Sequence, residues 1–240
     1  MDRDPQLKYR RILLKLSGEA LMGSKSFGID TATINSICHQ IKEVNDAGLE
    51  VGIVVGGGNI FRGLEASEQG MDRVVADNMG MMATIINALA IMDCLEGMGS
   101  YCRVMSAVNI ESFAEPYIRR RAIRHMEKGR IVVFAGGTGN PYFTTDSAAA
   151  LRASEVGAEI LIKATKVEGV YSEDPLKNDK AVFFEKLSYM DVVQKELGFM
   201  DLTAITMCKD NKMPIIVFNL RRPGNLKKIV MGEKIGTIIS

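Results

Sequence analysis

The chain contains no tryptophan and only two histidines, His39 and His125, neither with a partner motif. Histidine is the commonest metal ligand and the usual general base, so chemistry built on either function is set aside. Four cysteines, Cys38, Cys94, Cys102 and Cys208, lie scattered without metal-ligand spacing and read as buried free thiols. Net charge is also scarce: 30 basic against 29 acidic residues leave +1, which is no footprint for nucleic acid. The first ten residues are polar and carry no apolar export segment, which points to the cytoplasm. The longest apolar stretch, around Met79 to Met92, is broken by Thr84 and Asn87 and reads as too short and too interrupted to cross a bilayer. Two familiar nucleotide-binding signatures are missing. The loop Met22–Gly28 lacks the Gly-Lys-Ser order of a P-loop, and the third glycine of a dinucleotide fingerprint starting at Gly56 falls on Phe61.

What is present is a well-supplied core, with 47% hydrophobic and 25% charged residues in 240. Apolar runs at Arg11–Leu16, Val51–Val55, Tyr101–Met105, Ile131–Phe134, Ile160–Ala164 and Pro214–Asn219 read as strands. Helical segments alternate with them. One carries Ile34, Ile37, Cys38, Ile41 and Val44 on a single face and stops at Gly48; a long one runs from Asp72 towards Met98. This alternation predicts an α/β fold, an open and mainly parallel sheet with helices on both faces in three layers. The chain reads as one domain over residues 1–240, with 1–9 a flexible extension. Val182–Glu185 is expected to pair with Val170–Tyr171, Ser188–Asp191 to form a capping box, Asp201 to cap a helix, and Thr237–Ile239 to add an edge strand. The long helix is apolar on more than one face (Met79, Met81, Met82, Ile85, Ile86, Leu89, Ile91, Met92). It is therefore expected to bury its second face against a partner subunit.

Three strand-to-helix connections carry the chemistry. The eleven residues Gly136–Asp146 form a long loop with three glycines, ending in two hydroxyls and a carboxylate at a helix N-terminus. Loops of that length are usually functional, and helix N-termini favour anions. A plain connection capped by Thr145 or Asp146 is the alternative. Gly56-Gly57-Gly58 follows the second strand and suggests a backbone nest for phosphate, strengthened by Arg62, whose guanidinium can grip two phosphate oxygens. Lys15 and Lys163 each sit near the carboxyl end of a buried strand, where ligand crevices form, and can converge on one polyanion. An edge lysine facing water is the other reading of Lys15. Asp77 is either a surface residue offsetting the helix dipole or a ligand contact. Arg119, Arg120, Arg121 and Arg124 form a solvated helix face or a contact for an effector phosphate or a subunit.

Four segments occur in one order: Lys15-Leu16-Ser17-Gly18-Glu19-Ala20; Gly56–Gly63; Gly137-Thr138-Gly139-Asn140-Pro141-Tyr142-Phe143-Thr144-Thr145-Asp146; and Lys163–Tyr171. In these the chain closely resembles the bacterial uridylate kinases (UMP kinases) of the amino-acid-kinase fold, from about Tyr9 onward. The resemblance implies transfer of the ATP γ-phosphoryl group to UMP within pyrimidine nucleotide synthesis. It implies that Lys15, Arg62, Asp146 and Lys163 are catalytic. Lys15, Leu16, Ser17, Gly18, Gly58, Arg62, Thr165, Tyr171 and Asp174 would bind ATP. Gly57, Arg62, Asp77 and Thr138 to Thr145 would bind UMP, with Asp77 on the ribose and Asp146 holding the lysines in place. Gly23, Ser24, Lys25, Ser26, Phe27 and Gly28 match a segment tied to activation by a nucleotide, GTP in some members. Mg²⁺ would accompany ATP with no side-chain ligand of its own, UTP would inhibit, and the assembly would be a cytoplasmic homohexamer. Two other readings share the fold. One is an oxyanion-storage protein, against which Lys15, Arg62, Asp146 and Lys163 are all retained. The other is a kinase for a different small acid.

Overall fold

A computed structural model describes residues 3–240. In chain order its elements are β1 (Arg11–Leu16), a 3₁₀ turn (Gly18–Leu21), α1 (Thr31–Asp46), β2 (Glu50–Val55), α2 (Gly63–Glu68), α3 (Arg73–Gly97) and β3 (Cys102–Ser106). There follow β4 (Glu115–Pro116), α4 (Arg119–Glu127), β5 (Ile131–Ala135), α5 (Thr145–Val156), β6 (Ile160–Thr165), β7 (Val170–Tyr171), β8 (Phe183–Phe184) and β9 (Lys186–Leu187). The last are α6 (Tyr189–Gln194), α7 (Leu202–Asp210), β10 (Ile215–Asn219), α8 (Asn225–Val230) and β11 (Thr237–Ile239). Nine strands form one sheet in the order β4-β3-β5-β2-β1-β6-β10-β11-β9. Every pairing is parallel except β10 with β11. The remaining two, β7 and β8, make the expected antiparallel pair.

The strand order places the site. From β1 the chain turns towards β2, whereas β6, on the other side of β1, leads on to β10, so connections diverge at the β1/β6 boundary. In open parallel sheets the ligand crevice opens at the carboxyl ends of strands at such a boundary. The register there sets Lys15 directly beside Lys163. Side chains alternate across each strand, so both ammoniums leave the sheet on the same face.

That face carries α5 with α4, α6 and α7, and its core includes Leu13, Val54, Phe134, Ala148, Ala149, Ala153 and Leu161. The opposite face holds α1, α3 and α8 over Ile12, Leu14, Ile53, Val55, Ile160 and Phe218. Three consecutive alanines, Ala148–Ala150, let α5 lie close on β1, β2 and β6, and all three are fully buried. The helix caps follow sequence chemistry: Asp30, Asp72 and Asp201 each accept from a backbone N–H in the first turn, and Ser188 with Asp191 forms the expected capping box.

Residues 3–9 contact the rest of the chain: Leu7 is buried, the Asp4 N–H donates to Ala47 O at 2.9 Å and the Lys8 N–H to Val230 O at 2.9 Å; residues 1 and 2 lie outside the described residues. Three expectations are corrected. β11 is not an edge strand, because β9 adds outside it. The cap of α5 is Thr144, not Thr145 or Asp146; its hydroxyl accepts from the backbone of Asp146 and Ser147, which moves Asp146 into the first turn. Finally, α3 runs for 25 residues and is long and apolar enough to cross a membrane on length and composition alone. Thr84 and Asn87, read above as interruptions, are its buried attachments to two loops: Thr84 Oγ1 accepts from the Gly136 N–H, and Asn87 Nδ2 donates to Gly56 O.

Candidate active site

The centre of the site is one carboxylate between two ammoniums. Asp146 Oδ2 accepts from Lys163 Nζ at 2.6 Å, and Lys15 Nζ lies 2.7 Å from Oδ1 as an ion pair approached off the hydrogen-bonding direction. All three side chains are nearly buried. Burial pushes the Asp146 carboxyl upward, but the two ammoniums together outweigh it and hold the group below its usual range. Lys163 goes the other way: burial first, then the charge of Lys15, pushes its pKa down to about 8 against the opposing pull of Asp146. Phe199 O also accepts from Lys163 Nζ, so the segment before α7 closes over that ammonium. Two buried ammoniums thus flank one carboxylate at the carboxyl ends of β1 and β6, and Asp201 adds a weaker negative influence on Lys163.

Around it lie the glycine turns. At Gly18 a Cβ would meet Asn59 Oδ1 at 2.5 Å and the Gly58 backbone N at 2.7 Å, so only glycine lets the turns after β1 and β2 touch. At Gly57 a Cβ would run into Ala83 at 2.8 Å, which fixes the second turn against α3. Ser17 spends its hydroxyl capping the 3₁₀ turn, and Leu16 is fully buried. Asn59, 2% exposed, donates to Gly28 O and to Asn87 Oδ1, tying the end of the Gly23–Gly28 segment to the glycine nest. Arg62 is half-exposed and engaged on both sides, with Glu19 at 2.5 Å and Glu65 at 2.7 Å. Glu19 in turn holds Lys166 at 2.8 Å.

A second pocket of about 220 Å³ lies beside this centre, between α3 and the Gly136–Asp146 loop. Gly57, Asp77, Thr138, Asn140, Thr144 and Thr145 line it, which brings together residues from the second and third glycine segments. Asp77 is not free: its Oδ2 accepts from Arg73 Nε at 2.8 Å and from the Tyr142 N–H at 2.7 Å. Tyr142 sits at φ 70°, a left-handed conformation unfavourable for a side chain of that size, and the Asp77 bond pins it there. The loop's turn is closed by Gly139 N–H to Gly136 O at 2.9 Å and by the Thr138 hydroxyl, which accepts from Asn140 N–H at 3.2 Å. Pro141, Tyr142 and Phe143 form its outer edge, with both aromatics exposed.

Several sequence-predicted residues stand apart from this centre. Tyr171 packs edge-on against Phe183 at 5.3 Å on the β7/β8 hairpin, and Asp174 closes the turn beyond it by accepting from Leu176 N–H. Thr165 ends β6 with its hydroxyl 2.7 Å from Val167 O. With Gly23, Ser24, Lys166 and Arg221 it lines a cleft of about 700 Å³ on the α1 side of the strand ends. Arg120 and Arg121 are exposed, as a solvated face requires, while Arg119 donates to Glu155 O. The four cysteines are free, and burial pushes Cys38, Cys102 and Cys208 well above the usual thiol range. Sequence reasoning missed Glu19, Arg73, Thr84 and Lys166. Arg73 was findable, since it stands one helical turn before Asp77. The Glu19 contacts span 43 and 147 residues and leave no local signal.

Residues 10–219 match the Amino acid kinase family. Among solved structures, the chain is similar to UMP kinase from Bacillus anthracis, at 41% identity over 97% of this chain and 96% of that one, with a TM-score of 0.93. It is similar to UMP kinase from Ureaplasma parvum at 37% identity over all of both chains, with a TM-score of 0.90. Uridylate kinase from Archaeoglobus fulgidus matches at 29% identity over 95% of this chain and 99% of that one, with a TM-score of 0.73.

Proposed function

The chain belongs to the amino acid kinase family, and from that footing we propose that it is a UMP kinase, transferring the γ-phosphoryl group of ATP to UMP to give UDP and ADP in pyrimidine nucleotide synthesis. The observation that carries this reading is the Lys15–Asp146–Lys163 cluster at the β1/β6 boundary, with a pocket lined by the second and third glycine segments beside it. Phosphoryl transfer asks little covalent work of a protein; it needs alignment and neutralisation of charge. The acceptor oxygen of UMP is ionised near neutral pH, so no general base is required. On this reading Asp146 aims both ammoniums. Lys15 and Lys163 stabilise charge on the equatorial oxygens of the moving group, and Ser17, Gly18 and Gly58 hold ATP phosphates. Gly57 and Arg62 hold the UMP phosphate, Asp77 Oδ1 takes the ribose, and Thr138 to Thr145 read the uracil edge. Thr165, Tyr171 and Asp174 line the side of the adenosine.

Mg²⁺, were it bound with ATP, would supply further neutralisation of phosphate charge. Among the described residues no three His, Cys, Asp or Glu side chains converge, and Asp146 is already matched by two ammoniums. The residues therefore fit a metal held by phosphate and water oxygens. The chain works as one domain, in the cytoplasm, with UTP as inhibitor and GTP as a candidate activator acting through Gly23–Gly28. A homo-oligomer, a hexamer on the resemblance, is supported by an apolar stripe along α3: Val75, Met79, Met82 and Ile86, at helical spacing, are all more than a third exposed.

The test is ATP-dependent transfer scored across UMP, CMP, dUMP, AMP and GMP. A loop that hydrogen-bonds uracil leaves groups unpaired against cytosine, so UMP is expected to exceed CMP by about 10³-fold in kcat/KM. Comparable rates for the two would sink the assignment of the acceptor.

A further inference from the structure

Glu19 has no part in the transfer just described, yet it occupies a telling position. It stands next to Gly18 in the turn after β1, and its two carboxylate oxygens are divided between Arg62 Nη2 at 2.5 Å and Lys166 Nζ at 2.8 Å. The three side chains arrive from the carboxyl ends of β1, β2 and β6. The Lys166 hydrogen bond comes first among the causes that hold the Glu19 carboxyl below its usual range; burial opposes it, and the charges of Lys166, Arg62 and Lys15 add to it. Glu19 is thus an anion at any working pH, set among three cations above the glycine nest. Among the described residues Arg62 has a second carboxylate, Glu65, whereas the ion pair of Lys166 is with Glu19.

We propose that Glu19 is a built-in stand-in for phosphate: in the empty site its carboxylate holds Lys166 and Arg62 in place, and it gives them up when the phosphates of the nucleotide arrive. This rests on the phosphotransfer reading above. The exchange needs no unfolding, because the side chains of Glu19, Arg62 and Lys166 are 34%, 47% and 37% exposed. Ion pairs at that exposure are weak and screened, so a phosphate bearing more than one charge displaces a carboxylate. The arrangement keeps two long side chains ordered before substrate enters, and it makes a single-charge anion a poor competitor for them. Glu19 is a positioning residue, and it acts through Lys166 and Arg62.

The experiment is titration calorimetry of β,γ-methylene-ATP with MgCl₂ into the full chain, wild type and Glu19→Gln, at several salt concentrations. With the internal competitor removed, Glu19→Gln is expected to bind about three- to tenfold more tightly. Its affinity also falls more steeply with salt, because binding no longer exchanges internal ion pairs for intermolecular ones. Glu19→Asp, too short to span both cations, is expected to fall between the two, and it decides the matter should the glutamine variant melt early. Equal or weaker binding with an unchanged salt slope, in a variant that keeps its melting temperature, overturns the proposal. Wild-type turnover of UMP is scored separately: its absence sinks the functional reading, while the titrations still decide the role of Glu19.

Discussion

Replacing Asp146 by asparagine keeps the shape of the cluster and removes the carboxylate between the two ammoniums, leaving Asp201 as a weaker negative influence on Lys163. Lys15 and Lys163 are neighbours in register, each within 2.7 Å of the carboxylate. Two ammoniums left roughly 5 Å apart at an effective dielectric of about 20 repel by about 3 kcal/mol. In the wild type the attraction of Asp146, at least as large, offsets the repulsion that Lys163 already feels, so its loss lowers the pKa of the weaker base by about two further, since each 1.36 kcal/mol is one pKa step. Lys163, already down at about 8, is the group that yields. With a pKa of roughly 6 it is about 3% protonated at pH 7.5, against about three-quarters in the wild type. Single-turnover phosphoryl transfer at that pH should therefore fall by about 25-fold from protonation alone. At pH 6 the deficit should shrink to about twofold, because Lys163 regains its proton. Titration of the phosphate of UMP is common to both proteins and cancels in the ratio. Lys15→Met, which removes a stabilising donor outright, should lose about 10²–10³ in kcat at every pH. Adding Asp146→Asn to it should cost little more, because the repulsion is gone. A ratio of Asp146→Asn to wild type that stays constant from pH 6 to 8 would refute the mechanism.

Three further outcomes follow from the same geometry. In the wild type, kcat/KM should fall as pH rises through about 8, as the Lys163 ammonium is lost. Thermal stability should instead rise between 8 and 10.5, because in that window the unfolded chain binds the proton that the folded one has released; a parallel decline of both would count against the Lys163 assignment. Asp77→Asn should weaken UMP binding more than it lowers kcat. It should also loosen the Tyr142 turn, since a neutral amide grips Arg73 and the Tyr142 N–H less well; proteolysis at that loop and UMP calorimetry check it, and intact affinity would refute it. Met82→Glu with Ile86→Glu should reduce the assembled mass in light scattering, because both lie on the exposed stripe of α3; an unchanged mass would place the contact elsewhere.

Much of this was legible in the sequence for identifiable reasons. The buried strands are continuous apolar runs, and the aspartate caps sit where their local chemistry puts them. Two lysines at the carboxyl ends of two such runs were expected to converge, and they meet at Asp146, the residue that the resemblance implied would hold them. The cap of α5 was misplaced by one or two residues because Thr144, Thr145 and Asp146 are all good cap residues. What decides among them is the pull of Asp201 on Thr144 and of the lysines on Asp146, both contacts made in three dimensions. The roles of Thr84 and Asn87 were misread for a similar reason. A polar residue in an apolar helix looks like a break until its partner, a loop backbone 52 or 31 residues away, is in view.

The side-by-side register of Lys15 and Lys163 also bears on how the sheet is assembled. A slip of one residue between two strands turns every side chain to the opposite face. Slipped in that way, β6 would send the Lys163 ammonium into the apolar layer that holds Ile12, Ile53 and Ile160. In the correct register the two ammoniums repel until Asp146 comes between them. Asp146 lies 17 residues before Lys163, on the helix that leads into β6, whereas β1 is made long before either. The helix thus delivers the counter-charge along with the strand that needs it, and β6 docks on β1 as a unit with α5. On the proposed function, the charges that would serve the reaction would also act as a check on the register of the central strand pair during folding.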